Sequence, residues 1–441
     1  MKTILAGSII ICGIYLCMVE NIVKNSFYKE ITEKLLLFLI ILCSIFNLVL
    51  IKLDIGSYNI EIGILTILLL TYLYTFYIMY KKRFIKKSVD KKIIIMLICL
   101  SLINIYILIE PMLINMYSAE SYSLYLFTYF NVELILIFFL VLRKFNYKNK
   151  TIISVVTVFS IMNATLGLLQ FITGRVLINF KDSSQQITEL YVGTRVSGFV
   201  IGDNGGGNLG AILFPLLLYK YNKDKNILNF SLILADILFV IFTFTRIAYL
   251  AIGVEVIIFM LFSGKSHIKG IIKNIAITIG ALGVGIYVYL NYYNEIIYIF
   301  FLQRGETQYD RFTQFTIAIK TFFSTPIFGT GHGQYNDYAM SKLGLFDDLV
   351  IHSQFLNMIV EEGIIIFILF VIFNVCLIYM LMKKYSEKME RLFIIMLFIG
   401  NLICVNFNPN QTYEIVIYIY YFILFGLLFA KDEITHDYLL E

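Results

Sequence analysis

The sequence predicts an all-α, polytopic integral membrane protein with about 12–13 transmembrane helices. Three observations carry that expectation. Of 441 residues, 59% are hydrophobic and only 15% charged, and the mean hydropathy is +0.83, a composition outside the range of soluble globules. Apolar runs recur along the chain, and most are long enough to cross about 30 Å of hydrocarbon as helices. Lysine-rich segments separate alternate runs, the pattern of loops retained on the cytoplasmic side.

The runs lie near 3–19, 34–52, 59–80, 93–112, 122–142, 151–173, 206–222, 227–244, 247–263, 271–290, 354–382, 392–407 and 413–430. The first is read as a span and not as a signal peptide, because no small-residue cleavage site follows it. Lys2 runs against the orientation of that span. The segments 81–92, 143–150, 220–226, 264–270 and 383–391 all fall on one side if the spans alternate, and that side is inside. The opposite side receives 110–121, the turn 406–411 and two long loops, roughly 174–205 and 291–353. The chain then divides into N-terminal spans (1–173), a first outer loop with central spans (174–290), a large extracytoplasmic loop (291–353), and C-terminal spans with a short cytoplasmic tail (354–441).

The net charge of +5 follows from this topogenic lysine and implies no nucleic-acid partner. Cys12, Cys17, Cys43, Cys99, Cys376 and Cys404 lie in apolar runs at no metal-ligand spacing and read as small core residues. The chain has no GxxxxGK[ST] loop and no H-E-x-x-H, which argues against nucleotide-driven pumping and zinc peptidase chemistry. No metal or cofactor is expected.

Arginine is distributed differently from lysine. Five of the eight arginines (Arg175, Arg195, Arg246, Arg304, Arg311) fall in outer segments, whereas 22 of 27 lysines fall inside or near the inner face. A guanidinium stays charged and donates two parallel hydrogen bonds to one phosphate, so an anionic ligand at the outer leaflet is one explanation. The alternative is snorkelling to headgroups, or pairing with Asp182, Glu189 or Asp310. Arg246, in the short turn FTFTRIAY, has little extramembrane protein around it to supply such a partner.

The first long loop ends GTRVSGFVIGDNGGGNLGAILF (193–214), delivering Arg195, Asp203, Asn204 and three glycines to a helix start, where backbone N–H groups and the helix dipole favour an anion. A flexible entry loop explains the same glycines. In the second loop, Phe312, Phe315, Ile319 and Phe322 recur at helical spacing, predicting an amphipathic helix over 308–323 that lies on the membrane and ends at Pro326. The GTGHGQY turn follows, with His332 read as turn and packing chemistry; then come Asp347, Asp348 and His352.

His352, Ser353 and Gly363 form an H-S-x9-G pattern, and Arg195 to Gly206 an R-x10-G spacing. Together with PIFGTGHGQY before the histidine, they resemble motifs of the O-antigen ligase and polymerase superfamily of bacterial membrane glycosyltransferases. The resemblance covers about residues 190–373; Arg311 lacks a glycine at the equivalent spacing. It implies a GT-C-like fold in the bacterial cell membrane with an extracytoplasmic active face, and a polyprenyl-diphosphate-linked oligosaccharide as donor. His352 is then the catalytic base, and Arg195, Arg246, Arg311 and Arg304 are the diphosphate-binding residues. Asn204, Gly206, Asp348, Ser353 and Gly363 support them.

The implied reaction is metal-independent transfer to a sugar hydroxyl of a second lipid-linked unit, as in a capsule or O-antigen polymerase. Partners would be membrane lipids, a flippase and a chain-length regulator. An Ile-, Lys- and Asn-rich composition leans toward a surface-polysaccharide polymerase. A ligase-type transferase to another acceptor stays open. So does a lipid-glycan flippase, for which Asp236 and Glu255, at similar depths on adjacent spans, would form a polar path.

Overall fold

A computed structural model describes residues 26–45, 49–55, 58–80, 90–114, 117–118, 122, 126–143, 147–175, 189–190, 193–200, 202–263, 283, 287, 290–294, 307–344, 351–408 and 414–431. Among them the regular structure is helical apart from two small antiparallel hairpins, as expected of an all-α polytopic membrane protein. The first helices are α1 (Ser26–Ile45), α2 (Ile64–Tyr80), α3 (Lys91–Leu113), α4 (Thr128–Leu142) and α5 (Asn149–Thr173). They are followed by α6 (Asp203–Lys223), α7 (Ile227–Thr243), α8 (Arg246–Phe262), α9 (Thr307–Ser324), α10 (Tyr335–Leu343) and α11 (Gln354–Glu361). The last are α12 (Gly363–Lys384), α13 (Lys388–Val405) and α14 (Glu414–Phe429). The hairpins pair β1 (Val49–Ile55) with β2 (Tyr58–Gly63), and β3 (Glu189–Leu190) with β4 (Gly193–Thr194).

By length and composition α3, α5 and α12 are long and apolar enough to cross a membrane; Ile64–Tyr74, α4, α7 and α14 are shorter apolar helices. The 3–19 run lies outside the described residues, as does nearly all of 271–290.

The last helix is the hub. Every residue from Ile415 to Phe429 is buried, because α14 is apolar on all faces and packs against α1, α4, α5, α6 and α12. Gly426 lets α5 approach: a Cβ there would stand 2.9 Å from Ile152. Two of the polar tips on α14, Tyr418 and Tyr421, are matched inside the bundle. Asn131 donates to the Tyr418 hydroxyl at 3.1 Å and accepts from Thr66 at 2.7 Å, while Tyr421 donates to Asn374 at 3.0 Å, since an unpaired polar group there would cost the desolvation it cannot recover.

Two expectations are corrected. The runs 34–52 and 59–80 give up their facing ends to the β1–β2 hairpin. Alternation explains this: Lys52 pairs with Glu61 and Asp54 faces Asn59 on one side, while Leu53 faces Ile60 and Ile51 faces Ile62. High local hydropathy hides that period-2 pattern. The run 354–382 is two helices, α11 and α12, broken at Glu362 by Gly363 with φ +79°.

The described parts of the basic segments 143–150, 220–226 and 383–391 meet at one end of the bundle; residues 81–89 and 264–270 lie outside the described residues. Lys384 donates to Leu427 O at 2.6 Å and also to Ala430 O, Tyr385 donates to Asn149 at 2.9 Å, and Lys431 N donates to Tyr147 O at 2.8 Å. Tyr219 and Lys223 both reach Glu390 there. The other end joins Tyr106 to Phe328 O, Ser353 to Asn406, and Asn208 to Asn408. This is the alternation that the lysines predict. Ser341 and Ser386 are both exposed and belong to opposite ends. In a cysteine-free background, a cysteine placed at Ser341 should react with an impermeant maleimide added outside intact cells, and one at Ser386 only after permeabilisation; the reverse pattern would invert the topology.

Candidate functional site

His352 stands immediately before α11. Ile351 is buried with Ala318, Tyr335 and Val360 in a small core of its own, and Ser353 caps the helix, its hydroxyl oxygen accepting from Leu356 N at 3.3 Å. The same hydroxyl donates to Asn406 Oδ1 at 3.3 Å, tying the start of α11 to the end of α13. The half-buried His352 ring places Nδ1 2.9 Å from Gln314 Oε1 on α9. An amide oxygen only accepts, so in the neutral ring Nδ1 carries the hydrogen and Nε2 carries the lone pair.

α9 is the expected amphipathic helix, with a shifted inner face. Gln314, Ala318 and Thr321 point inward, and Phe312, Ile319 and Phe323 are exposed. Arg311 lies on this helix, its side chain outside the described residues; Arg304, Asp347 and Asp348 are outside them altogether.

Arg195 is enclosed. Its guanidinium meets Asp203 Oδ2 at 2.6 Å, Asn204 Oδ1 at 3.1 Å and the Thr243 carbonyl at 3.0 Å. Pairing with an acid was the alternative reading of the outer arginines, and the acid is Asp203, in the first turn of α6. The segment is fixed from behind by Gln170, whose Oε1 accepts from Ser197 N and Gly198 N, and by Asn163, which accepts from Phe199 N. Thr245 donates to Asp203 O at 3.1 Å, and the next residue, Arg246, begins α8. Arg195 and Arg246 therefore flank one junction of α6, α7 and α8. Asn208 on α6 donates to Asn408 O at 3.2 Å, two residues from the Asn406 that meets Ser353. This chain of asparagines connects the arginine junction to the His352 helix at the same bundle end.

The glycine triplet is packed against protein. Gly206 lies against Ser197 O, where a Cβ would stand 2.6 Å away, and Gly207 lies against Thr245 at 2.5 Å. All three glycines are buried inside α6, so their smallness brings α6 onto the 195–198 segment and the α7–α8 turn. Asp236 and Glu255 are buried in the helix layer with no hydrogen-bond partner among the described residues, and Glu255 occupies the space that a side chain at Gly400 would need.

A second cluster escaped the sequence reading. Gly329, Gly331 and Gly333, all with positive φ, fold GTGHGQY back onto the α11–α12 junction. Thr330 N donates to Val360 O and Gly331 N to Glu361 O, each at 2.9 Å. The Glu361 carboxylate accepts from Gly333 N, Tyr335 N and Asn357 Nδ2. His332 Nδ1 lies 2.7 Å from Glu362 Oε1, and its backbone N–H donates to Glu110 Oε2 at 2.8 Å. Gln334 closes the knot, accepting from Tyr117 N and Ser118 N. Burial and the Glu362 charge push Glu361 up to about 7, and burial holds Glu362 well above the ordinary carboxylate range. The signal in the sequence was three glutamates at the edges of apolar runs, where a carboxylate needs a partner.

The curated proteins include no match to this chain. Residues 230–371 match the family described as O-Antigen ligase, a stretch that contains Arg246, Arg311, the glycine turn, His352, Ser353 and Gly363 and leaves out Arg195. The matched stretch is about a third of the chain, and over it the chain is similar to the O-antigen ligase family.

Proposed function

We propose that the protein transfers a glycan from a polyprenyl-diphosphate-linked donor to a sugar hydroxyl of a second lipid-linked unit, at the outer face of the bacterial cell membrane. The observation that carries this reading is that His352 and the arginine junction share one end of the bundle, with the histidine inside the matched domain. The acceptor hydroxyl oxygen attacks the anomeric carbon, the bond from that carbon to the phosphate oxygen breaks, and the electron pair leaves on the diphosphate. Nε2 of His352 takes the hydroxyl proton, the Nδ1–H to Gln314 holding the ring in the required tautomer.

The leaving diphosphate carries the developing charge, and guanidinium groups stabilise it without a metal in that step. Arg246 serves this role at the junction, with Arg304 and Arg311 contributing from the long loop. Arg195 keeps Thr243 O and Asn204, and exchanges Asp203 for a phosphate oxygen. Asn204, Gly206, Asp348, Ser353 and Gly363 shape the site. The partners follow from the substrate: lipid-linked oligosaccharide, membrane lipid, a flippase and a chain-length regulator.

The deciding assay supplies purified protein in lipid with a polyprenyl-diphosphate oligosaccharide. Longer lipid-linked glycans identify a polymerase; transfer only to an added lipid core or protein identifies the ligase-type alternative. Movement of the donor between leaflets without a new glycosidic bond identifies a flippase and ends the enzymatic reading.

Two variants test the roles. His352→Ala should slow transfer by about 10² or more while retaining donor binding and melting temperature; near-normal product formation would remove the histidine from the mechanism. Arg246→Lys should lose most of the activity with net charge unchanged, because an ammonium cannot form the bidentate phosphate contact. Wild-type turnover by that variant would reduce Arg246 to a topological or packing role.

A further inference from the structure

The glycine-turn cluster is separate from the chemistry proposed above. His352 and Glu361 stand at opposite ends of α11, about 12 Å apart along an eight-residue helix axis. We propose that His332, Glu361 and Glu362, with Glu110 beside them, bind one divalent metal ion that pins the 329–334 turn onto the α11–α12 junction.

Charge balance is the first reason. Glu110 is 0%, Glu361 6%, Glu362 2% and His332 5% exposed, so three carboxyl groups and one imidazole are withdrawn from water together. Even with a charged imidazole, three carboxylates would leave a net charge of −2, and no lysine or arginine forms an ion pair with them among the described residues. Buried charge without compensation is costly, and a divalent cation cancels it.

Geometry is the second. One donor atom from each of His332, Glu361 and Glu362 lies within 4.8 Å of the others. Donors around a single ion at bonds of about 2.1 Å stand up to about 4.2 Å apart, so small side-chain rotations close the set. Glu362 Oε2 is buried with no hydrogen-bond partner among the described residues, although the opposite oxygen of the same carboxylate is placed on His332. An ion there engages the unsatisfied oxygen and replaces the Nδ1···Oε1 contact with two bonds to metal.

The surroundings fit a metal site as well. Glu361 is aimed by three N–H donors, the kind of outer support that orients a ligating carboxylate. A cleft of about 430 Å³, lined by Pro111, Met112, Tyr117, Thr325 and Tyr338, runs along the same turn, whose Gly329 and Thr330 also line it. One imidazole with carboxylate oxygens suits Zn²⁺ or Mn²⁺ better than Mg²⁺, which keeps water and oxygen ligands.

The test uses full-length, tag-free protein in nanodiscs, stripped with EDTA and dialysed separately against Zn²⁺ or Mn²⁺. Bound metal is measured by mass spectrometry after gel filtration. The expected result is about one ion per chain for at least one metal, a raised melting temperature, and at least a tenfold loss of affinity in Glu362→Gln. Glu110→Gln, which keeps the shape of that residue, stands in if Glu362→Gln does not fold, and should weaken binding in the same direction. A wild-type chain that takes up neither metal overturns the proposal, as does binding that a folded Glu362→Gln leaves unchanged; either result assigns the cluster to protons alone. Loss of glycan transfer plays no part in the readout, so this outcome is independent of the function proposed above.

Discussion

The backbone contact between the 326–331 turn and the α11–α12 junction sets the geometry of the arginine end. Ile364 N donates to Pro326 O, Thr330 N to Val360 O and Gly331 N to Glu361 O. The two chains approach so closely that a Cβ at Gly329 would stand 2.0 Å from Glu361 O, and one at Gly363 2.1 Å from Ile327 O. Both glycines also hold positive φ, which costs an L side chain about 1 kcal/mol or more before any clash is counted. This contact fixes where α11 ends. Through an eight-residue helix it also fixes where α11 starts, and His352 sits at that start.

Two kinds of polar chemistry divide the ends of the bundle. At the lysine end the partners are mainly backbone carbonyls and one glutamate, and a flexible ammonium is adequate for them. The arginine end contains the planar fork of Arg195, spread over an acid, an amide and a carbonyl that belong to two different segments. A lysine has neither the spread nor the fixed geometry to satisfy all three. The exceptions to the topological charge rule are thus explained in part by architecture, without reference to any ligand.

Much of this was legible in the sequence. The helical character of the described segments, the amphipathic helix before the histidine and the spacing of His352 to Gly363 follow from periodicity and residue type. The hairpin at 49–63 did not show, because its polar face is only four residues and the runs on either side dominate any hydropathy average. The glycine triplet was legible as close approach but not as to its object: Ser197 O and Thr245 rather than an anion. The acid cluster was invisible for a different reason. Glu110 and His332 are 222 positions apart, and nothing local in either segment names the other as its partner.

Nδ1 of His352 meets the amide oxygen of Gln314, and the frame at this end of the bundle is multiply held: Ser353 to Leu356 and Asn406, Arg195 to Asp203, Asn204 and Thr243. Such an arrangement is compatible with the general-base role proposed for His352. Frame residues gain from rigidity, since each added partner lowers the reorganisation needed when charge develops nearby. A base must instead exchange its proton, and an imidazole bound on both nitrogens by strong partners would have its lone pair committed before substrate arrives. Placing one amide oxygen on Nδ1 sets the tautomer. His332 is held differently: its buried ring places Nδ1 2.7 Å from Glu362 Oε1, and its backbone N–H donates to Glu110 Oε2, so that side chain belongs to the frame of the glycine turn.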